Sequence, residues 1–204
     1  MIHALPGMGA DHRMFPPPWD SLPGWRAHDW PAYGGERTLP DLATRLIATC
    51  GIQSGDFLIG ASLGGMVACE ISKQIPLRAV FLVGSAIHRR EVSRLLQSLA
   101  PFIDYVPINA LRLSAGSIPA DLARMFEQAE ADFLRAMCKA ILDWPGGSGA
   151  GLPVFRLHGR HDLVIPEPES VDRVLDGGHL ISMTHAPQCV AFIREKLASE
   201  LGYS

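Results

Sequence analysis

Residues 56–65 read Asp56-Phe57-Leu58-Ile59-Gly60-Ala61-Ser62-Leu63-Gly64-Gly65. Asp56–Ala61 is a short apolar, β-prone run, and Leu63–Gln74 has helical composition and stops before Pro76. Gly60-Ala61-Ser62-Leu63-Gly64 (G-x-S-x-G) therefore falls where a strand turns into a helix. A serine on so sharp a turn is lifted clear of the sheet, and small neighbours let the two backbones pass closely. The helix also aims its positive end at any oxyanion formed beside that serine. The motif alone is weak, because a glycine-rich turn with a helix-capping serine has the same letters. The rest of the chain has to decide.

Working outward, short apolar runs alternate with helical stretches. Ile2–Leu5 reads as a strand, and Arg26–Trp30 as a second. Leu39–Cys50 is an amphipathic helix with Leu42, Leu46 and Ile47 on one face. Arg78–Gly84 is almost wholly apolar, as a strand covered on both faces requires. Pro153–Gly159 and Asp172–Leu175 are further strands, and Pro187–Leu201 is a closing helix. Between Ile87 and Asp143 the pattern is helical, with Leu95, Leu96, Leu99, Phe126, Phe133, Met137 and Ile141 recurring and Pro101, Pro107 and Pro119 as punctuation. Trp144–Gly151 is a glycine-rich return. The block far exceeds the 10–12 residues or so that a crossover needs. It reads as a helical insertion between two strands of a parallel α/β sheet.

Three further stretches carry chemistry. Leu5-Pro6-Gly7-Met8-Gly9 follows the first strand. It is either a plain strand exit or a loop offering backbone N–H groups to the pocket of Ser62. Gly159-Arg160-His161-Asp162-Leu163-Val164-Ile165-Pro166 follows a later strand and puts Asp162 at its carboxyl end, where ligand-facing loops of open α/β sheets gather. A buried carboxylate there holds an imidazole in its useful tautomer. His158 reads as a packed core histidine and His161 as a surface or supporting group. Gly177-Gly178-His179-Leu180 follows the last short strand, with glycines that let the imidazole bend toward the serine. His185 is the competing histidine. His3, His12, His28 and His88 have no partner pattern, although His3 leads into the glycine loop.

The glycine loop, Gly60–Gly65, the Asp162 loop and Gly177-Gly178-His179, in the order Ser62, Asp162, His179, resemble the α/β-hydrolase family over nearly the whole chain. The resemblance implies an all-parallel sheet of about six strands flanked by helices. It implies a core of residues 1–86 and 152–204, with 87–151 as a helical cap after the strand that follows the turn helix. The chain differs by starting within the strand that leads to the oxyanion loop, without the usual antiparallel hairpin. Its loop also reads His3-Ala4-Leu5-Pro6-Gly7-Met8-Gly9, not the commoner H-G-x-G. Ser62 is then the nucleophile, His179 its base and Asp162 the orienting acid. The N–H groups of Leu63 and Met8 form the oxyanion hole. The reaction expected is hydrolysis of a carboxylic ester with a small to medium acyl group, through an acyl-enzyme. A thioester, a carbon–carbon bond or cofactor-free haloperoxidase chemistry suits the same scaffold, and so does a non-catalytic small-ligand binder.

Composition narrows the field. The chain has 204 residues, 48% of them hydrophobic and 19% charged, which builds a core. Lys and Arg number 18 against 21 Asp and Glu, so nothing favours a nucleic-acid partner. No run of apolar residues is long enough to span a membrane, and the first residues lack the features of a signal peptide. Cys50, Cys69, Cys138 and Cys189 form no C-x-x-C pair and read as free buried thiols of a cytoplasmic protein. No cofactor or metal motif is visible. The cap residues Leu95, Leu96, Leu99, Phe102, Met125, Phe126, Phe133 and Met137 are candidates for the acyl pocket. Arg89, Arg90 and Arg94 are a candidate anion-facing entrance. Oligomeric state is not encoded legibly.

Overall fold

A computed structural model describes residues 1–93, 120–199 and 202. Six strands form one sheet: β1 (Ile2–Leu5), β2 (Trp25–Ala27), β3 (Phe57–Ala61), β4 (Ala79–Val83), β5 (Val154–Gly159) and β6 (Arg173–Leu175). Their order is β2-β1-β3-β4-β5-β6, and every neighbouring pair is parallel. The all-parallel, six-stranded expectation holds. Helices α1 (Leu39–Cys50) and α2 (Leu63–Gln74) link β2 to β3 and β3 to β4. Helices α3 (Ala120–Gln128) and α4 (Ala131–Asp143) lie between β4 and β5. The short α5 (Ile181–Thr184) and the long α6 (Ala186–Ser199) follow β6.

Side-chain alternation along the strands explains the continuous apolar runs. Phe57, Ile59, Phe81, Phe155 and Leu157 face a core closed by Phe192 and Ile193 of α6 and by Trp19. Leu58, Val80 and Leu82 face the opposite core, with Leu42 and Leu46 of α1, Met66 and Val67 of α2, and Met137 of α4. Both faces of the central strands are covered, and β3 and β4 accordingly carry no polar side chain. Helix α1 begins at Thr38, whose Oγ1 accepts the Asp41 N–H at 3.2 Å, and ends at Gly51 with φ 65°. A threonine cap and a left-handed glycine satisfy the backbone groups left open at the two ends of the helix.

The differences from expectation are local. Strand β2 spans Trp25–Ala27 rather than Arg26–Trp30. The His28 N–H still reaches Ala4 O at 3.0 Å, after which the chain leaves the sheet toward Pro31. Helix α6 begins one residue earlier than Pro187, which suits the first turn, where no N–H is needed. Leu201, Arg94, Leu95, Leu96, Leu99, Pro101, Phe102, Pro107 and Pro119 lie outside the described residues. The glycine-rich return docks on α2. Glu70, buried in that helix, accepts from Trp144 Nε1 and from Lys73 Nζ, and Lys73 also donates to Gly146 O at 2.8 Å. Gly149 N donates to Ser72 Oγ at 2.9 Å. No helix among the described residues is long and apolar enough to cross a membrane.

The closest packing is at the β3–α2 turn. A side chain at Gly64 would collide with the carbonyl oxygens of Leu5 and Pro6, which belong to the backbone and cannot swing away. Gly64→Ala is expected to destabilise the protein by about 2 kcal/mol, lowering the thermal midpoint by roughly 4–8 °C. A melt monitored by circular dichroism measures it, and an unchanged midpoint contradicts the packing argument.

Candidate active site

Ser62 has φ 50° and ψ −120°, the one positive φ on a non-glycine among the described residues. Such a conformation costs on the order of 1–3 kcal/mol and persists only where its surroundings enforce it. They do so here. Ser62 N donates to Val83 O at 3.2 Å, and Ser62 O accepts from Gly65 N at 3.0 Å and Ser85 Oγ at 2.6 Å. A side chain at Gly60 would overlap the Gly64–Gly65 backbone, and one at Gly65 would meet Ser85. Ser62 occupies the cap position of α2, yet its side chain makes no cap bond. Its Oγ lies 3.0 Å from His179 Nε2 instead. The helix-capping reading of this serine therefore fails.

Asp162 follows β5 and sits at the end of the sheet with Ser62. Its Oδ1 accepts the N–H groups of Val164 and Ile165, each at 2.9 Å, and its Oδ2 lies 2.8 Å from His179 Nδ1. The side chain is fully buried. Burial pushes its pKa up. Hydrogen bonds from His158, His179 and the Ile165 N–H, with the charge of His179, outweigh it and hold the carboxyl far below the usual range. Asp162 is thus a carboxylate acceptor throughout the neutral range. It accepts a hydrogen bond from the Nδ1–H of His179 and leaves Nε2 as the acceptor facing the serine hydroxyl.

The other histidines separate cleanly. His158 is buried in β5, with Nε2 2.7 Å from Ile165 O and 3.4 Å from Asp162 Oδ2. It braces the acid loop as a core residue. His161 is exposed and pairs with Asp176 at 2.8 Å. The His185 ring lies 2.8 Å from Thr184 Oγ1 and packs where a Gly177 side chain would be. His3 lies 2.8 Å from His28 and 3.1 Å from Asp56, away from the serine. Burial lowers the pKa of His3 against the pull of Asp56, and burial with the charges of His3 and Arg26 takes His28 to about 4. Ser85 carries no motif that would point to it, apart from its place directly after the Gly84 exit of β4.

Leu63 opens α2, so its N–H has no intrahelical acceptor. Neither that N–H nor the one of Met8 has an acceptor among the described residues. Gly7 runs beside Ser62, and a side chain on it would stand 3.5 Å from Ser62 Cβ. Beyond this loop lies a cavity of about 160 Å³, bounded by Gly9, Ala10, Trp30, Met125 and Phe133, with Asp11, Asp29 and Glu130 on its rim. Of the predicted pocket residues, Met125 and Phe133 line that cavity. Phe126 packs on Gly9, and Met137 is fully buried in the core. Arg89 bonds Leu142 O at 2.9 Å.

Asp11, His12 and Asp29 bring three possible metal-ligating atoms within 4.8 Å of one another. His12 and Asp29 are already paired at 2.7 Å, and Asp11 is held by Arg13, so the group is an exposed ion-pair cluster. Cys69, Cys138 and Cys189 are buried free thiols, and burial raises their pKa values to about 12, 11 and 12. Cys50 is only half-buried, which departs from the buried-thiol expectation.

No protein-family model matches the sequence, and no curated protein sequence matches it. Solved structures do. An enol-lactonase from Burkholderia xenovorans is 17% identical, with a TM-score of 0.75, covering 97% of this chain and 91% of that one. A thermophilic esterase from Thermogutta terrifontis is 19% identical, with a TM-score of 0.66 and coverages of 97% and 89%. The type II thioesterase of the borrelidin biosynthetic cluster is 20% identical, with a TM-score of 0.66 and coverages of 96% and 91%. With its parallel sheet, its serine turn and the helices inserted after β4, the chain has the α/β-hydrolase fold.

Proposed function

We propose that the protein is a serine hydrolase that cleaves a carboxylic ester with a small to medium acyl group. The observation that carries this reading is the chain of hydrogen bonds from Ser62 Oγ through His179 to Asp162, at 3.0 and 2.8 Å. His179 Nε2 takes the Ser62 proton as Oγ attacks the acyl carbonyl, and the imidazolium is stabilised by Asp162. The N–H groups of Leu63 and Met8 stabilise the oxyanion, a donor being worth about 3 kcal/mol in the transition state. The protonated His179 gives its proton to the leaving alcohol. It then activates water to release the acid and restore Ser62. Residues 87–151 act as the cap over the acyl group. The thioesterase likeness supports thioesters as the second substrate class.

A panel of p-nitrophenyl esters, acyl thioesters and a diketone tests the bond cleaved. Turnover is expected to be fastest on short-chain esters, and cleavage of the diketone alone overturns the ester reading. Ser62→Ala is expected to lower kcat by about 10⁴-fold or more with the fold intact. Stoichiometric fluorophosphonate labelling of Ser62 separates an enzyme from a binder, since a binder stays unlabelled. His179→Ala is expected to lose activity and His185→Ala to keep it, and the reverse result exchanges their roles.

Asp162 also sets a pH dependence. Its folded pKa lies below the unfolded value of about 3.9. Its stabilisation is therefore complete above roughly pH 4 and is lost as pH falls through the folded value. The difference in thermal midpoint between wild type and Asp162→Asn is expected to stay level from about pH 5 to 8 and to shrink below about pH 4. Melts across that range decide it, and a gap that grows on acidification contradicts the assignment.

A further inference from the structure

We propose that Trp30 is a positioning residue that aims the Met8 N–H at the oxyanion, an inference that rests on the hydrolase reading above. The Gly7 carbonyl accepts two hydrogen bonds, from Trp30 Nε1 at 2.9 Å and from Ala10 N at 3.1 Å. The Gly7–Met8 peptide is trans. In a planar trans peptide the C=O and the following N–H point in opposite directions. Fixing the Gly7 oxygen toward the indole therefore fixes the Met8 N–H on the other side of the same plane. That plane cannot slide, because Gly7 N donates to Met14 Sδ at 3.1 Å and Gly7 itself is buried against Ser62. The Met8 N–H is left without an acceptor among the described residues.

Trp30 is held in its turn. Its ring lies 5.4 Å from that of Phe133, centroid to centroid, and Phe133 comes from α4 of the inserted block. The indole arrives at the loop because β2 runs beside β1, and the last bond of that pair, His28 N to Ala4 O, sets Trp30 down next to the exit of β1. A rotated Gly7–Met8 peptide would present a carbonyl oxygen to a developing negative charge. Trp30 and Ala10 together prevent that rotation. Removing the indole N–H leaves one restraint of two.

Trp30→Phe tests this, because it keeps an aromatic ring on Phe133 and deletes the donor. Steady-state kinetics on a p-nitrophenyl ester are expected to show kcat lowered about tenfold with KM within about twofold, a loss confined to the transition state. An aryl trifluoromethyl ketone reports the same hole. Ser62 Oγ adds to its carbonyl carbon, the serine proton passes to His179, and the resulting alkoxide sits on the N–H groups. Its inhibition constant is expected to weaken by about the same tenfold, while inhibition by the free carboxylic acid is unchanged. Met14→Leu, which removes the acceptor at the other end of Gly7, is expected to repeat the pattern at smaller amplitude and keeps the test decisive if Trp30→Phe does not fold. Unchanged kcat and ketone affinity in a folded variant overturn the role of Trp30 alone. A wild-type chain that neither turns over esters nor labels at Ser62 overturns the hydrolase reading and this assignment with it.

Discussion

The backbone of one residue constrains the rest. Ser62 is held at φ 50° between a strand and a helix that touch, and Gly60 and Gly65 are needed for that contact. A penalty on the order of 1–3 kcal/mol is a sizeable part of the 5–15 kcal/mol or so that stabilises a domain. It is offset by burial around it. Ten of the twelve residues of α2 are buried, and β3 is buried along its whole length. The turn thus sits in tightly packed backbone where local relaxation is restricted. What this achieves is the direction of Oγ, which points toward His179 instead of closing the helix cap.

Burial also divides the labour among groups that look alike in composition. Two histidines approach Asp162 Oδ2, at 2.8 Å for His179 and 3.4 Å for His158. His158 Nε2 also meets the Ile165 carbonyl at 2.7 Å, so His179 makes the shorter of the two imidazole contacts to the buried carboxylate. Hydrogen bonds from His158 and His179, the charge of His179 and the Ile165 N–H keep the acid ionised despite its burial. The carboxylate thus sits among hydrogen-bonding groups, two imidazoles and two backbone N–H groups, around one negative charge.

How much of this the sequence disclosed depends on the range of the interaction. The Gly60–Gly65 turn, the Asp162 loop and Gly177-Gly178-His179 are local patterns, each legible because a tight turn demands glycine at fixed offsets. The strands were legible from apolar runs, since both faces of the sheet are covered. The choice of His179 over His185 was legible only as a preference, because both follow the same loop and six residues separate them. The end of β2 was misplaced because Trp30 looks like a strand residue, while its indole actually bonds to a loop. Ser85 and the Gly7 contacts were invisible. They join residues 23 apart in the chain, for Ser85 with Ser62 and for Trp30 with Gly7, and no spacing rule connects them.

Those contacts matter because they link parts that the sequence presents as separate. Phe133 belongs to the helices inserted after β4, Trp30 to the stretch after β2, and Gly7 to the exit of β1. Phe126 of α3 lies against Gly9 of the same loop, where a glycine is required both by φ 72° and by the ring. The inserted helices thus press on the glycine loop from two sides, through Phe126 directly and through Trp30 at one remove. A block that only roofed the pocket would have no need of either contact. The geometry makes the block part of what holds the loop in place. Changes in the insertion at Phe126 or Phe133 should therefore also disturb the glycine loop, and the two would have to vary together.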